Sequence, residues 1–160
     1  SMFMQSRYWH GNEPSHQIPF MFNYTAKVWK TQQYVPQILE TEYKDLPGGL
    51  SGNDDAGQMS AWYVFAALGF YPVTPGTPYY LISIPTFKRA TLSLQNNKKF
   101  IIKTKNLSKE NKYIQSVSLN GKAYAKNFIS HNDILQGGEM IFTLGNTPSN
   151  WGVGRFPDVE

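Results

Sequence analysis

Cysteine is absent from the 160-residue chain, which removes disulfides and thiolate metal sites together. That fits the cytosol but does not exclude a bacterial periplasm. No apolar run reaches the length of a membrane-spanning helix, and no signal-like segment opens the chain. Charge is also scarce, at 16% of residues. The net +4 comes largely from lysines scattered between Lys88 and Lys126, which is the pattern of a solvated face rather than a nucleic-acid footprint. Neither a nucleic acid nor a membrane is therefore expected as a partner. The Gly-x-Ser-x-Gly, phosphate-loop and dinucleotide glycine patterns are all missing. His10 and His16 lie six apart and do not form the helical His-x-x-x-His pair of a zinc hydrolase. No repeat or low-complexity segment is visible.

What is present is dominated by one stretch, Gly48-Gly49-Leu50-Ser51-Gly52-Asn53-Asp54-Asp55-Ala56-Gly57-Gln58-Met59-Ser60-Ala61-Trp62-Tyr63-Val64-Phe65. A glycine-rich lead-in delivers two adjacent carboxylates to the start of an apolar helical run whose face is Met59, Trp62, Tyr63 and Ala66. Asp55 with Gln58 has the spacing of a capping box, which needs only one acid. A carboxylate held ionised at a helix entrance is also what a general base requires. Spacing alone leaves a capped helix and a functional site both open.

A second polar cluster, His10-Gly11-Asn12-Glu13-Pro14-Ser15-His16-Gln17, reads either as a plain turn before a helix or as part of a site. Helices are expected over Ile18 to Trp29, with Pro19 in its first turn, over Thr31 to Lys44 despite Pro36, and from the acidic loop to a cap at Gly69. After Pro72 the pattern changes to short β-branched and aromatic runs: Tyr79 to Ile84, Ala90 to Leu94, Phe100 to Lys105, Ile114 to Leu119, Phe128 to Ser130 and Met140 to Leu144. Asn96-Asn97 and Asn120-Gly121 are hairpin-type connections. The class is α+β: a helical part over residues 1–72, then an antiparallel β-sandwich-like region over 73–160. Asn23-Tyr24-Thr25 and Asn106-Leu107-Ser108 match the glycosylation sequon, a match that arises readily by chance.

Both polar loops precede helices and are separated by a helical hairpin, so in a barrel of paired helices they share one end and bring Glu13 and His16 near Asp54 and Asp55. Converging acids and amides suit glycoside hydrolysis by an activated water, and binding of a hard cation such as Ca2+. The aromatic content of 15% suits a carbohydrate ligand and also an aromatic-cored β domain. A non-catalytic carbohydrate-binding or structural domain is thus the alternative.

At these residues the sequence resembles glycoside hydrolase family 92, the exo-acting α-mannosidases. The resemblance is carried by His10-Gly11-Asn12-Glu13-Pro14-Ser15-His16, by Trp29-Lys30-Thr31-Gln32, by Gly52 through Val64 and by Leu68-Gly69-Phe70-Tyr71-Pro72. It implies an inverting, Ca2+-dependent hydrolysis of mannose-containing glycans in the periplasm or outside the cell. Asp55 is then the base, and Asp54 or Asn53 supports the water. Asn12, Glu13, His16 and Asn53 fall at sugar subsites, with Glu13 and Asn12 at the metal. Family members are much longer, so the chain corresponds to the last helices of an (α/α)6 barrel and the C-terminal β region, without the acid that protonates the leaving group. Ser1-Met2 looks like a tag remnant, in keeping with a piece of a longer protein. The cut helical face is expected to self-associate.

Overall fold

The computed structural model of the chain describes residues 8–157. After a short 3-10 turn at Glu13–Ser15, the segment Ile18–Tyr24 is also 3-10 helix, ending at an extended Thr25. Here the structure departs from the α-helix expected over Ile18 to Trp29. The Pro19 carbonyl accepts from the Thr31 hydroxyl (3.0 Å), and the Asn23 side chain donates to Ile82 O and Asn127 O (2.9 and 3.0 Å). Tertiary partners thus take groups that a regular helix would have left to itself.

Helix α1 spans Trp29–Thr41 with Pro36 inside it, and helix α2 spans Gln58–Leu68. Helix α2 stops where the sequence indicates: Gly69 is left-handed (φ 93°), and its N–H reaches back to Ala66 O and Phe65 O. The chain then enters strand β1 (Phe70–Tyr71) directly, followed by β2 (Tyr79–Ile82), β3 (Arg89–Ser93), β4 (Lys99–Lys105), β5 (Tyr113–Leu119), β6 (Lys122–Ala123), β7 (Phe128–Ser130), the short helix α3 (His131–Leu135) and β8 (Gly138–Gly145).

A three-stranded sheet, β1-β2-β7, forms the middle layer. Its strands alternate faces, as any pleated strand must. Tyr71, Leu81 and Phe128 pack with Phe20, Val35, Ile38, Trp62 and Ala66 of the helical layer. Phe70, Ile82 and Ile129 pack the other way, against Phe100, Ile102, Ile114, Met140 and Phe142 of a five-stranded sheet ordered β3-β4-β8-β5-β6. An all-antiparallel sandwich is not what forms. Strand β8 inserts between β4 and β5 and runs parallel to β4, so this sheet is mixed. A parallel pair needs a long crossover, and the chain supplies one through β5, β6, β7 and α3. Asn120 and Gly121, both at positive φ (50° and 78°), close the β5–β6 hairpin as expected.

Buried amides tie the layers together. The Asn127 side chain donates to Asn23 O (2.7 Å) and Gly152 O (2.8 Å), while Gln32 Oε1 of α1 accepts from Ile114 N (2.9 Å). Asn23 is fully buried with its amide nitrogen committed, so the folded chain offers no glycan acceptor there. Asn127→Ala takes the amide donor from the buried Asn23 carbonyl and one of two donors from Gly152 O, which keeps its bond from Arg155 N (3.2 Å), and should destabilise the chain by about 1–3 kcal/mol. Urea denaturation checks this; a change below about 0.5 kcal/mol would mean that the amide brace contributes little.

Candidate active site

The two polar loops meet backbone to backbone. A Cβ on Gly52 would lie 2.4 Å from Gly11 Cα and 2.4 Å from Gly11 O, and one on Gly11 would lie 2.8 Å from Ser51 O. Only glycine permits that approach on either side. The contact joins the loop carrying Glu13 to the loop carrying Asp54 and Asp55.

The acids divide their roles differently from the spacing argument. Asp54, not Asp55, ties the acidic loop to the helix: its carboxylate accepts from Ser60 N (2.8 Å) and Ser60 Oγ (2.9 Å), and its carbonyl accepts from Gln58 N (2.7 Å). These bonds hold its pKa below the ordinary range, the backbone bond from Ser60 first. The capping box of Asp55 with Gln58 does not form, because Asp55 (φ 41°), Ala56 (φ 58°) and Gly57 (φ 89°) run consecutively left-handed and turn Asp55 away from the helix. Two non-glycine residues in that region represent stored strain.

Asp55 instead meets Glu13. Their carboxyls interact side chain to side chain, an interaction that raises the Asp55 pKa and lowers that of Glu13. Asp54 and partial desolvation add to the rise at Asp55. Of the pair, Asp55 therefore holds its proton to higher pH. Glu13 is half-buried, and its Oε1 is sealed from solvent without a hydrogen-bond partner. Asn12, Asn53 and Asp55 are exposed, and the Asn12 side chain makes no capping bond.

His16 lies elsewhere in the arrangement. It is 1% exposed, its Nε2–H donates to His10 O (3.0 Å), and its Nδ1 accepts from Gln58 Nε2 (3.3 Å). Both ring nitrogens are thus spent inside the protein, and burial lowers its pKa, keeping it neutral. His16 positions the loop and is not presented to a sugar. His10 is just as buried (1%). The Tyr43 hydroxyl donates to Met59 O (3.1 Å), so it must accept from His10 Nε2–H (2.6 Å), and His10 Nδ1 accepts from the Tyr8 hydroxyl (2.7 Å). Burial, with neighbouring His16, pushes His10 down to about 3, so this chain of bonds keeps one tautomer across the neutral range. Trp62 Nε1–H donates to His16 O (2.9 Å), and its ring meets that of His10 edge-on at 4.3 Å. Gln58 also donates to the Tyr71 hydroxyl (2.9 Å).

Ser60, Trp62 and Tyr43 therefore support the site although the sequence does not mark them for it, and Gln58, which the sequence offers as a capping partner, supports it instead through His16 and Tyr71. Ser60 had a visible signal, since a hydroxyl six residues beyond Asp54 sits in the first helical turn. Tyr43 had none, because its partner His10 is 33 residues away. Among the described residues no group of three or more His, Asp or Glu side chains is arranged as a metal cluster. A cation here would have to combine the Glu13 carboxylate with neutral oxygens, which suits Ca2+ better than a transition metal. The unpartnered Glu13 Oε1 is an oxygen donor of the kind such an ion takes.

The sequence model of the glycosyl hydrolase family 92 catalytic domain matches residues 1–146. An uncharacterized secreted glycosidase of Arthroderma benhamiae is 34% identical over 148 residues, covering 91% of this chain and 19% of that protein. Of solved structures, a family GH92 α-mannosidase from Bacteroides thetaiotaomicron in complex with mannoimidazole superposes with a TM-score of 0.85 at 39% identity, covering 89% of this chain and 19% of that one. A family GH92 inverting mannosidase from the same organism gives a TM-score of 0.88 at 34% identity over 98% of this chain and 22% of its own. The chain thus spans about a fifth of the length of these relatives. With the family match running through both polar loops, the middle sheet and the whole of the outer sheet, the chain belongs to glycosyl hydrolase family 92.

Proposed function

We propose that the chain carries the water-activating side of an inverting, Ca2+-dependent exo-α-mannosidase active site acting on mannose-containing glycans outside the cytoplasm. The observation that carries the reading is Asp55, an exposed carboxylate on a left-handed loop with its pKa raised by Glu13. A raised pKa makes a carboxylate a stronger base once it is ionised. In inversion such a base takes a proton from water as the oxygen attacks the anomeric carbon, while an acid on the other side protonates the leaving oxygen. Asp54 anchors the loop through Ser60, and Asn53 and Asn12 offer exposed amides to water or sugar hydroxyls.

Glu13 cannot be the acid partner. Acid and base of an inverting pair stand roughly 6.5–9.5 Å apart to admit the water, whereas the Glu13 and Asp55 carboxyls are close enough to shift each other through a side-chain hydrogen bond. The acid comes from the remainder of the longer protein, in which α1 and α2 form the closing part of an (α/α)6 barrel. Glu13 Oε1 and the Asn12 side-chain oxygen would hold the Ca2+, whose charge, when present, relieves the repulsion between Glu13 and Asp55 and attracts sugar hydroxyls. The mannosidase neighbours and the secreted relative support substrate class and location.

Helix α2 supports the expected self-association. It is apolar on its outward face too, with Tyr63 and Val64 exposed (41% and 56%).

In the longer enzyme, Asp55→Asn should cut turnover by about two to four orders of magnitude. Its stability should stay within about 1 kcal/mol of the parent, since Asp55 caps nothing and asparagine tolerates the left-handed region. Mannoside turnover and thermal melting check both, and near-normal turnover would remove Asp55 as the base. In calcium-free buffer, carbon-13 carboxyl NMR of this chain should find Asp55 titrating above the ordinary aspartate range and Glu13 below the ordinary glutamate range. Glu13→Gln removes the neighbouring carboxylate that raises it, so Asp55 should then titrate at lower pH. An unmoved Asp55 would show that the two carboxyls do not interact.

A further inference from the structure

Trp9 is the most exposed large apolar side chain among the described residues, at 60%, whereas Trp62 is fully buried and Trp29 and Trp151 are half-buried. It belongs to neither hydrophobic cluster. Its position is nonetheless defined, because a Cβ on Gly11 would come within 2.8 Å of both Cε2 and Cζ2 of the indole. The six-membered side of the ring lies on Gly11, the residue that packs against Gly52 of the acidic loop. The next residue along the loop from Gly11 is Asn12, exposed, and then Glu13.

We propose that Trp9 is a stacking platform for a hexopyranose ring at the rim of the Glu13–Asp55 site, with the exposed amides of Asn12 and Asn53 placed to bond the sugar's hydroxyls. The choice of a pyranose rests on the mannosidase reading; the platform itself rests on exposure and placement. An indole face is electron-rich and flat, and one face of a pyranose presents a patch of electron-poor C–H groups ringed by hydroxyls. A binding surface that pairs an aromatic body with a few fixed polar groups suits that ligand better than a purely apolar one. The glycine at position 11 leaves room for the indole to approach the loop backbone, while the His10 and His16 anchors hold that loop in place. A large aromatic at this rim adds contact area with few rotors to freeze on binding.

The test is titration of the nitrogen-15-labelled chain with an α-linked mannobiose, following the indole N–H signals and the backbone amides of Asn12 and Asn53. The Trp9 indole signal, assigned by its loss in Trp9→Phe, should move saturably in the millimolar range. The Trp151 indole, bonded to Tyr124 O at 2.9 Å, should stay still. Trp9→Ala should weaken binding, read from the Asn12 and Asn53 amides, by about three- to tenfold, and Trp9→Phe should retain most of it. Three results would each overturn the platform: no saturable response anywhere, a response at Asn12 and Asn53 that leaves the Trp9 signal and the Trp9→Ala affinity unchanged, or a Trp9 signal that moves on protein dilution but not with sugar, which would assign the ring to self-association. Turnover of Asp55→Asn separates the two readings. Its loss with a silent Trp9 keeps the hydrolase and removes the platform, and a responsive Trp9 with unaffected Asp55→Asn turnover does the reverse.

Discussion

Everything at the site depends on the contact between Gly11 and Gly52. These residues come from separate loops, and their backbones approach more closely than any side chain would allow. That approach brings Glu13 to Asp55, and the meeting of like carboxyls displaces their titrations in opposite directions. A pair of like charges tends to separate unless the backbone beneath it is fixed. Here the fixing is double, by the glycine contact and by hydrogen bonds from α2 and its first turn to both loops.

Those bonds explain why two buried histidines are needed. His16 joins the Glu13 turn to Gln58, and His10 joins the same segment through Tyr43 to Met59. Each histidine is neutral, so each ring has one donor and one acceptor with a definite direction, and the network does not rearrange in the neutral pH range. Helix α2 thus carries the acidic loop at its entrance and holds the partner loop through its first turns. Its middle, at Trp62, Ala66 and Ala67, packs on Tyr71 and Leu81 of the middle sheet. Chemistry is placed at one end of a helix whose length is locked into two hydrophobic clusters.

Local signals in the sequence were the ones that survived folding. Gly69 ends α2, Asn120-Gly121 turns a hairpin, and the β-branched runs became strands close to their expected bounds. Signals that depend on distant partners did not survive. The 3-10 segment at Ile18–Tyr24 is bonded to Thr31 and to the carbonyls of Ile82 and Asn127, and the parallel β4–β8 pairing depends on a crossover that no local pattern encodes. At the site, residue types and loops were legible, including the acids and amides. Their division of labour was not: Asp54 and Asp55 are adjacent and chemically identical, and only the left-handed run from Asp55 to Gly57 gives the anchor to one and the free carboxylate to the other. His16 likewise carried the signature of a ligand residue and proved to be fully enclosed.

The central claim is that the glycine contact sets the relation between Glu13 and Asp55. The most direct measurement is carbon-13 carboxyl titration of Asp55 in Gly52→Ala, in calcium-free buffer, alongside circular dichroism. Gly52 lies outside every helix and strand, so the substitution should leave the secondary structure intact while pushing the loops apart. The account predicts that Asp55 then titrates closer to the ordinary aspartate range. A folded Gly52→Ala chain whose Asp55 titrates as high as in the parent would contradict it.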